Sequence, residues 1–480
     1  MTRLWVHGLA ALLAAGLLAE AAAADVELPR VFGPDMVLQQ GQPVPVWGRA
    51  ASGEKVTVTI AEQSATARTN GKGRWKLTLA PLAAGGPHTM TVRGKNEIQL
   101  TGVLVGEVWI CSGQSNMAWA VRSAANAKRE IAAADFPRIR LLTVPRRPMA
   151  KPQDDFEGAW TACSPNTIPN FSAVGYYFGR ALHLALYVPV GLINTSYGGT
   201  PAEAWTSYEG LKKVRALRPL VDRYDQAVKR YPKLGARHPT TLYNGMIAPL
   251  LPFAVRGAIW YQGESNAGRA VQYRTLFPAM IRDWRGRWGQ ERLPFYFVQL
   301  ANFKAAQPEP RESAWAELRE AQTATLTELP DTGMAVIIDI GDAKNIHPKN
   351  KQDVGKRLAA WALAKDYDKR VPFSGPLYKS MRVEKGAVIV EFDHVEGGLV
   401  AKDGKPLGGF AMAGRGKRFR WAGAEIVGDT VVVSCPGVKH PRAVRYGWAD
   451  NPAASLYNKA GFPASPFRTD DWPLTTAGKN

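Results

Sequence analysis

A chain of 480 residues is longer than one ordinary hydrophobic core sustains, so it divides into two or three domains. Three cysteines (Cys111, Cys163, Cys435) exclude a disulfide framework, and no Cys/His spacing of the zinc-binding kind occurs. The formal net charge of +20 suits an anionic substrate, but the basic residues are spread along the chain without a nucleic-acid motif, which argues against a nucleic-acid partner.

The first 24 residues read as a signal peptide. Met1–Leu4 carries a positive charge, Leu9–Leu18 is a short apolar run, and Ala22–Ala24 offers a small-residue cleavage site. The run is too short to span a bilayer comfortably, and no later stretch is long enough. A secreted or periplasmic protein without membrane insertion in its mature form is expected. Such a compartment permits one disulfide, although Cys111, at the end of a predicted strand, suits a buried free thiol.

Residues 25–102 alternate apolar and polar side chains between Gly-rich turns, as in Lys55–Ile60, which predicts an N-terminal β-sandwich-like domain. From 103 the period changes. Apolar strands are predicted at 103–110, 138–144, 188–194, 255–262, 294–300 and 334–340, with helices at 173–186, 269–285, 312–328 and 350–365. Val354, Leu358, Trp361 and Ala362 share one face of the last helix. This alternation predicts an α/β domain over 103–370 with a largely parallel sheet covered on both faces, and a polar helical excursion at 206–250. Residues 371–480 return to short strands and predict a C-terminal β-domain, also sandwich-like.

The first of the buried strands runs into Ser112-Gly113-Gln114-Ser115-Asn116. Gly113 allows a tight turn, and Ser115 then stands at the carboxyl end of a strand, where open α/β sheets place ligands and nucleophiles. Gly-x-Ser alone is a weak signal. The longer string Gly106–Met117 resembles the nucleophile block of the sialate O-acetylesterase family, which belongs to the SGNH (GDSL-like) hydrolases. Trp260–Asn266, Asn345–Gln352 and Arg445–Pro452 with Pro466–Asp470 resemble further blocks of the same family, so the likeness covers nearly the whole mature chain. It implies a three-layer α/β/α core and a serine esterase that removes acetyl groups from sugars, with no metal or organic cofactor expected.

A serine hydroxyl needs a base within reach, and the base needs its tautomer held. Of the mature chain's histidines, His347 follows a predicted strand on the sheet edge that carries Ser115, and the resemblance assigns it as base. Two serine turns compete: Gly263-Glu264-Ser265-Asn266 echoes Gly113-Gln114-Ser115-Asn116. The resemblance makes Ser115 the nucleophile, and the carboxylate beside Ser265 would oppose the charge that develops in acyl transfer. The oxyanion donors expected are the Ser115 amide, Gly199 in the turn after strand 188–194, and Gln262, which takes the place of the asparagine of typical SGNH enzymes. The chain departs from the superfamily at the acid, since Lys344 stands where an aspartate commonly precedes the histidine by three. Glu264 is expected as the main orienting carboxylate and Asp342 as a secondary or structural one.

An acetylated sialate-type sugar is the substrate expected. Acetylated xylan or xyloglucan is the alternative within esterases, and a non-catalytic glycan-binding protein is the alternative of another class.

Overall fold

The computed structural model describes residues 25–479, so the expected signal peptide at 1–24 lies outside the described residues. The chain is organised around one strand, Glu97–Gly113, of 17 residues. Its first half pairs antiparallel with Gly85–Arg93 in the N-terminal β-layer. Its second half lies at the middle of a mainly parallel sheet. The strand order there is Thr332–Ala335, Phe295–Val298, Gly257–Tyr261, Glu97–Gly113, Val190–Ser196, Phe136–Thr143 and Thr161–Cys163. Only the last pair is antiparallel. The expected border at 102/103 therefore falls inside a strand that both layers share.

Both faces of the central sheet are covered, as the nearly continuous apolar character of its strands requires. Along the central strand Trp109 and Cys111 face one layer, with Tyr176, Phe178 and Leu182 of helix Ala173–Leu186 and Val354, Leu358 and Trp361 of helix Lys351–Asp366. Val108 and Ile110 face the other, with Phe277 and Trp284 of helix Ala270–Trp288 and Leu318 of helix Ala314–Glu328. This is the three-layer α/β/α core expected from the period change, and its helices begin within two residues of their predicted starts. Strand Thr332–Ala335 ends five residues earlier than predicted.

The C-terminal region carries two four-stranded antiparallel sheets around a core of its own. It is pinned to the α/β core by polar contacts. Arg319, fully buried, donates to the carbonyls of Leu300, Ala301, Ala449 and Asp450. The C-terminal blocks singled out in the sequence meet each other, with Arg445 gripping both carboxylate oxygens of Asp470 at 2.8 and 2.9 Å. Cys111, Cys163 and Cys435 are unpaired thiols, the first two buried. No helix of the described residues is long and apolar enough to cross a membrane.

Candidate active site

Gly113 ends the central strand at φ +136°, and a Cβ there would lie 2.2 Å from the Tyr261 carbonyl oxygen. Only glycine lets the two strands approach so closely while the chain turns. The turn is then fixed from both sides: Gln114 N–H donates to the Tyr261 carbonyl at 3.0 Å, and Tyr197 N–H donates to the Gly113 carbonyl at 3.0 Å. Ser115 opens a single helical turn, Ser115–Ala118, so its N–H belongs to the amides that find no partner inside a helix. Ser172 Oγ donates to the Met117 carbonyl at 2.6 Å and also caps helix Ala173–Leu186, which fastens this turn to the layer beneath.

The sheet brings the His347 loop to the same edge. Ser115 Oγ stands 2.8 Å from His347 Nε2, the separation of a hydroxyl donating to an imidazole nitrogen. The ring is stacked on Trp119, 4.9 Å between centroids with planes 17° apart. Burial, and then the charge of Lys351, hold the His347 imidazole below its ordinary pKa. The ring is therefore neutral and able to accept a proton near neutral pH.

The acids expected at His347 lie elsewhere. Asp342 is exposed at the head of the loop, where its Oδ1 accepts from the Lys344 N–H at 2.8 Å. Its side chain closes that local turn instead of folding back to the ring. Glu264 Oε1 accepts from Asn116 Nδ2 at 2.7 Å. Among the described residues no carboxylate contacts the imidazole. Asn116, absent from the sequence-based candidates, is the link between the parts. Its Nδ2 also donates to the carbonyl of Ile346, directly before His347, at 3.0 Å, and its Oδ1 accepts from Lys351 Nζ at 2.5 Å. Lys351 is fully buried and lies over the rings of Tyr261 and Trp119 at 5.0 and 6.0 Å. Burial pushes its pKa down to about 7, against the opposing pull of Glu264, and burial pushes that of Glu264 up. Glu264 Oε2 is buried without a partner. Lys351 had a legible signal: it sits one helical turn before Val354, on the apolar face of its helix.

Of the oxyanion candidates, Gln262 is committed elsewhere. It is fully buried, and its Nε2 donates to the Thr200 carbonyl at 3.3 Å and to Asn266 Oδ1 at 2.6 Å, so the amide braces the turn at Thr200 against the turn at Asn266. In the turn after Val190–Ser196 the glycine against Ser115 is Gly198, one residue before the expected Gly199. A Cβ at Gly198 would lie 3.3 Å from Ser115 Cβ, whereas the carbonyl of Gly199 accepts from Arg237 at 2.7 Å. Thr200 shapes this turn: its Oγ1 donates to the Tyr197 carbonyl and accepts from Trp205 Nε1 at 3.0 Å. Ser265 is bound through its N–H to Gln114 Oε1, and no histidine contacts its hydroxyl among the described residues. Nor does any group of three His, Cys, Asp or Glu there converge as metal ligands.

Comparison with known proteins points one way. The family model described as carbohydrate esterase, sialic acid-specific acetylesterase, matches residues 105–364. The chain is 32% identical to sialate O-acetylesterase of Pongo abelii over 90% of each chain, and 32% identical to that of Homo sapiens, again over 90% of each. Among solved structures it resembles a carbohydrate acetylesterase from Xanthomonas citri, with 42% identity, a TM-score of 0.86, and 93% of this chain and all of that one covered.

Proposed function

Because the chain belongs to the sialic acid-specific acetylesterase family of carbohydrate esterases, and is thus a carboxylic ester hydrolase acting on acetylated sugars, we propose that Ser115 and His347 carry out the hydrolysis. The observation that carries this reading is the 2.8 Å contact between Ser115 Oγ and His347 Nε2 at the carboxyl edge of the sheet. His347 Nε2 takes the serine proton as Oγ bonds to the acetyl carbon. The oxyanion that forms faces the Ser115 N–H and the two amides of the Gly198–Gly199 turn, donors fixed before the reaction begins. The imidazolium returns its proton to the sugar oxygen, and the sugar leaves. Water then attacks the acetyl-enzyme by the same route in reverse, releasing acetate.

Glu264 acts in this scheme through Asn116. With its carboxylate on one Asn116 hydrogen and the Ile346 carbonyl on the same nitrogen, the amide ties the serine turn to the base loop. The base is oriented by this tie and by the Trp119 stack, in place of a carboxylate on the ring. Asp342 keeps only the loop-shaping role its contacts support. We take the protein to be exported, on the strength of the charged, apolar and small-residue sequence of residues 1–24; amino-terminal sequencing of the mature protein should begin at Asp25.

Acetate release from O-acetylated sialic acids, acetylated xylan and acetylated xyloglucan tests the reading. Sialates are expected to be the preferred substrates, with activity lost in Ser115→Ala. Turnover of the plant polysaccharides alone would overturn the sialate assignment. An inactive parent would overturn the enzyme reading.

A further inference from the structure

The turn that sets Gly198 against Ser115 is gripped from outside by two arginines. Arg146 lies over the ring of Tyr197, 5.5 Å from its centroid, and its Nε donates to the Ser196 carbonyl at 3.3 Å. Arg237 comes from the helical excursion and donates Nη1 to the Gly199 carbonyl at 2.7 Å. The loop that presents it is preorganised. Thr241 Oγ1 bonds the carbonyls of Gly235 and His238 at 3.1 and 2.9 Å, and Thr240 N–H bonds the Glu203 carbonyl at 2.9 Å. Both guanidinium groups are on exposed residues, and among the described residues neither is paired with a carboxylate.

The acidic group nearest in sequence to this turn does not neutralise them. Glu203 is buried and already binds Arg223 at 2.6 Å and Arg269 at 2.7 Å. Four guanidinium groups thus surround the stretch 196–203 against one carboxylate. An arginine whose donor fork is only partly used matches a planar carboxylate in geometry and charge. The position is also apt. Gly199 follows Gly198, with Cα atoms about 3.8 Å apart, and Gly198 touches Ser115, so an acid group on the same sugar ring as the reacting acetyl ester falls within reach of Arg237.

Resting on the sialate-type esterase reading above, we propose that Arg237 and Arg146 form a subsite that binds the carboxylate of an acidic O-acetylated monosaccharide while its ester lies at Ser115. The excursion at 206–250 is then the wall that carries substrate selectivity.

The test compares kcat/KM for an O-acetylated sialic acid with that for its methyl ester, the same sugar with its charge removed. The parent should prefer the acid, and the preference should shrink as salt rises. Arg237→Ala and Arg146→Ala should each lower the acid-to-ester ratio by about tenfold, as loss of a charge-assisted bond does, and the double variant should bring it close to one. Arg237→Lys should keep part of the preference. If acid and ester fall together in both variants, the arginines merely brace the turn and the proposal is overturned. A parent indifferent to the charge also overturns it, while leaving the sialate reading intact. A parent that cleaves p-nitrophenyl acetate but neither sialate ester refutes the sialate reading itself, and the subsite with it.

Discussion

Lys351→Met should move the acid limb of the pH–rate profile to higher pH. The indole of Trp119 lies 4.9 Å from the His347 ring and 6.0 Å from Lys351 Nζ, so the ammonium and the imidazole are at most about 11 Å apart. At an effective dielectric of about 20, two unit charges at that distance repel by about 1.5 kcal/mol, or roughly one pKa unit. Lys351 holds its own proton up to about pH 7 and is therefore charged through the range in which a lowered imidazole titrates. A cation beside the base disfavours the imidazolium, and its removal must raise the His347 pKa. Glu264, left facing Asn116 and the methionine, pushes in the same direction if ionised and is silent if protonated. Activity needs neutral His347, so the limb shifts up by about one unit, and well below both pKa values the variant, each profile being scaled to its own plateau, lies about tenfold below the parent. The measurement is kcat/KM for acetate release from pH 4.5 to 9, which reports the free enzyme, with circular dichroism to confirm folding. A folded variant whose limb stays in place or moves to lower pH refutes the electrostatic role given to Lys351.

Ser115→Ala should abolish esterase activity while Ser265→Ala keeps a measurable fraction, and a fluorophosphonate should label Ser115; a labelled Ser265 would reverse the assignment. Glu264→Gln, which removes the charge from the Asn116 tie, should lower kcat by about tenfold, while Asp342→Asn stays within about twofold. The opposite ranking would return Asp342 to the base. In Gly198→Ala the new Cβ meets Ser115 Cβ at 3.3 Å, so the serine or the oxyanion turn must give by a few tenths of an ångström. A loss of about tenfold in kcat with little change in Tm is expected, and unchanged kcat would dissociate this turn from the oxyanion. Gly113→Ala places a Cβ 2.2 Å from the Tyr261 carbonyl oxygen at a φ of +136°, and should destabilise the fold by more than about 2 kcal/mol in thermal or urea unfolding.

Local and periodic features could be read from the residues alone. The change from alternating strands to buried strands and amphipathic helices is written in side-chain spacing, so the layered core and its helices were legible. The serine turn was legible as well, because Gly113 and the abrupt end of an apolar run mark it within a few residues. What the sequence left open depends on pairs far apart in the chain. Whether Glu264 reaches His347 or Asn116, whether Gln262 points at the oxyanion or ties the neighbouring turns together, and whether Gly198 or Gly199 lies against Ser115 are decided by the tertiary packing. The register between strands and the packing of loops 62 to 230 residues apart in the chain set these contacts. Asn116 shows the limit most plainly. It is an ordinary polar residue in its own segment, and it becomes part of the site only because the fold buries it together with Lys351, where an unpaired polar group would be costly.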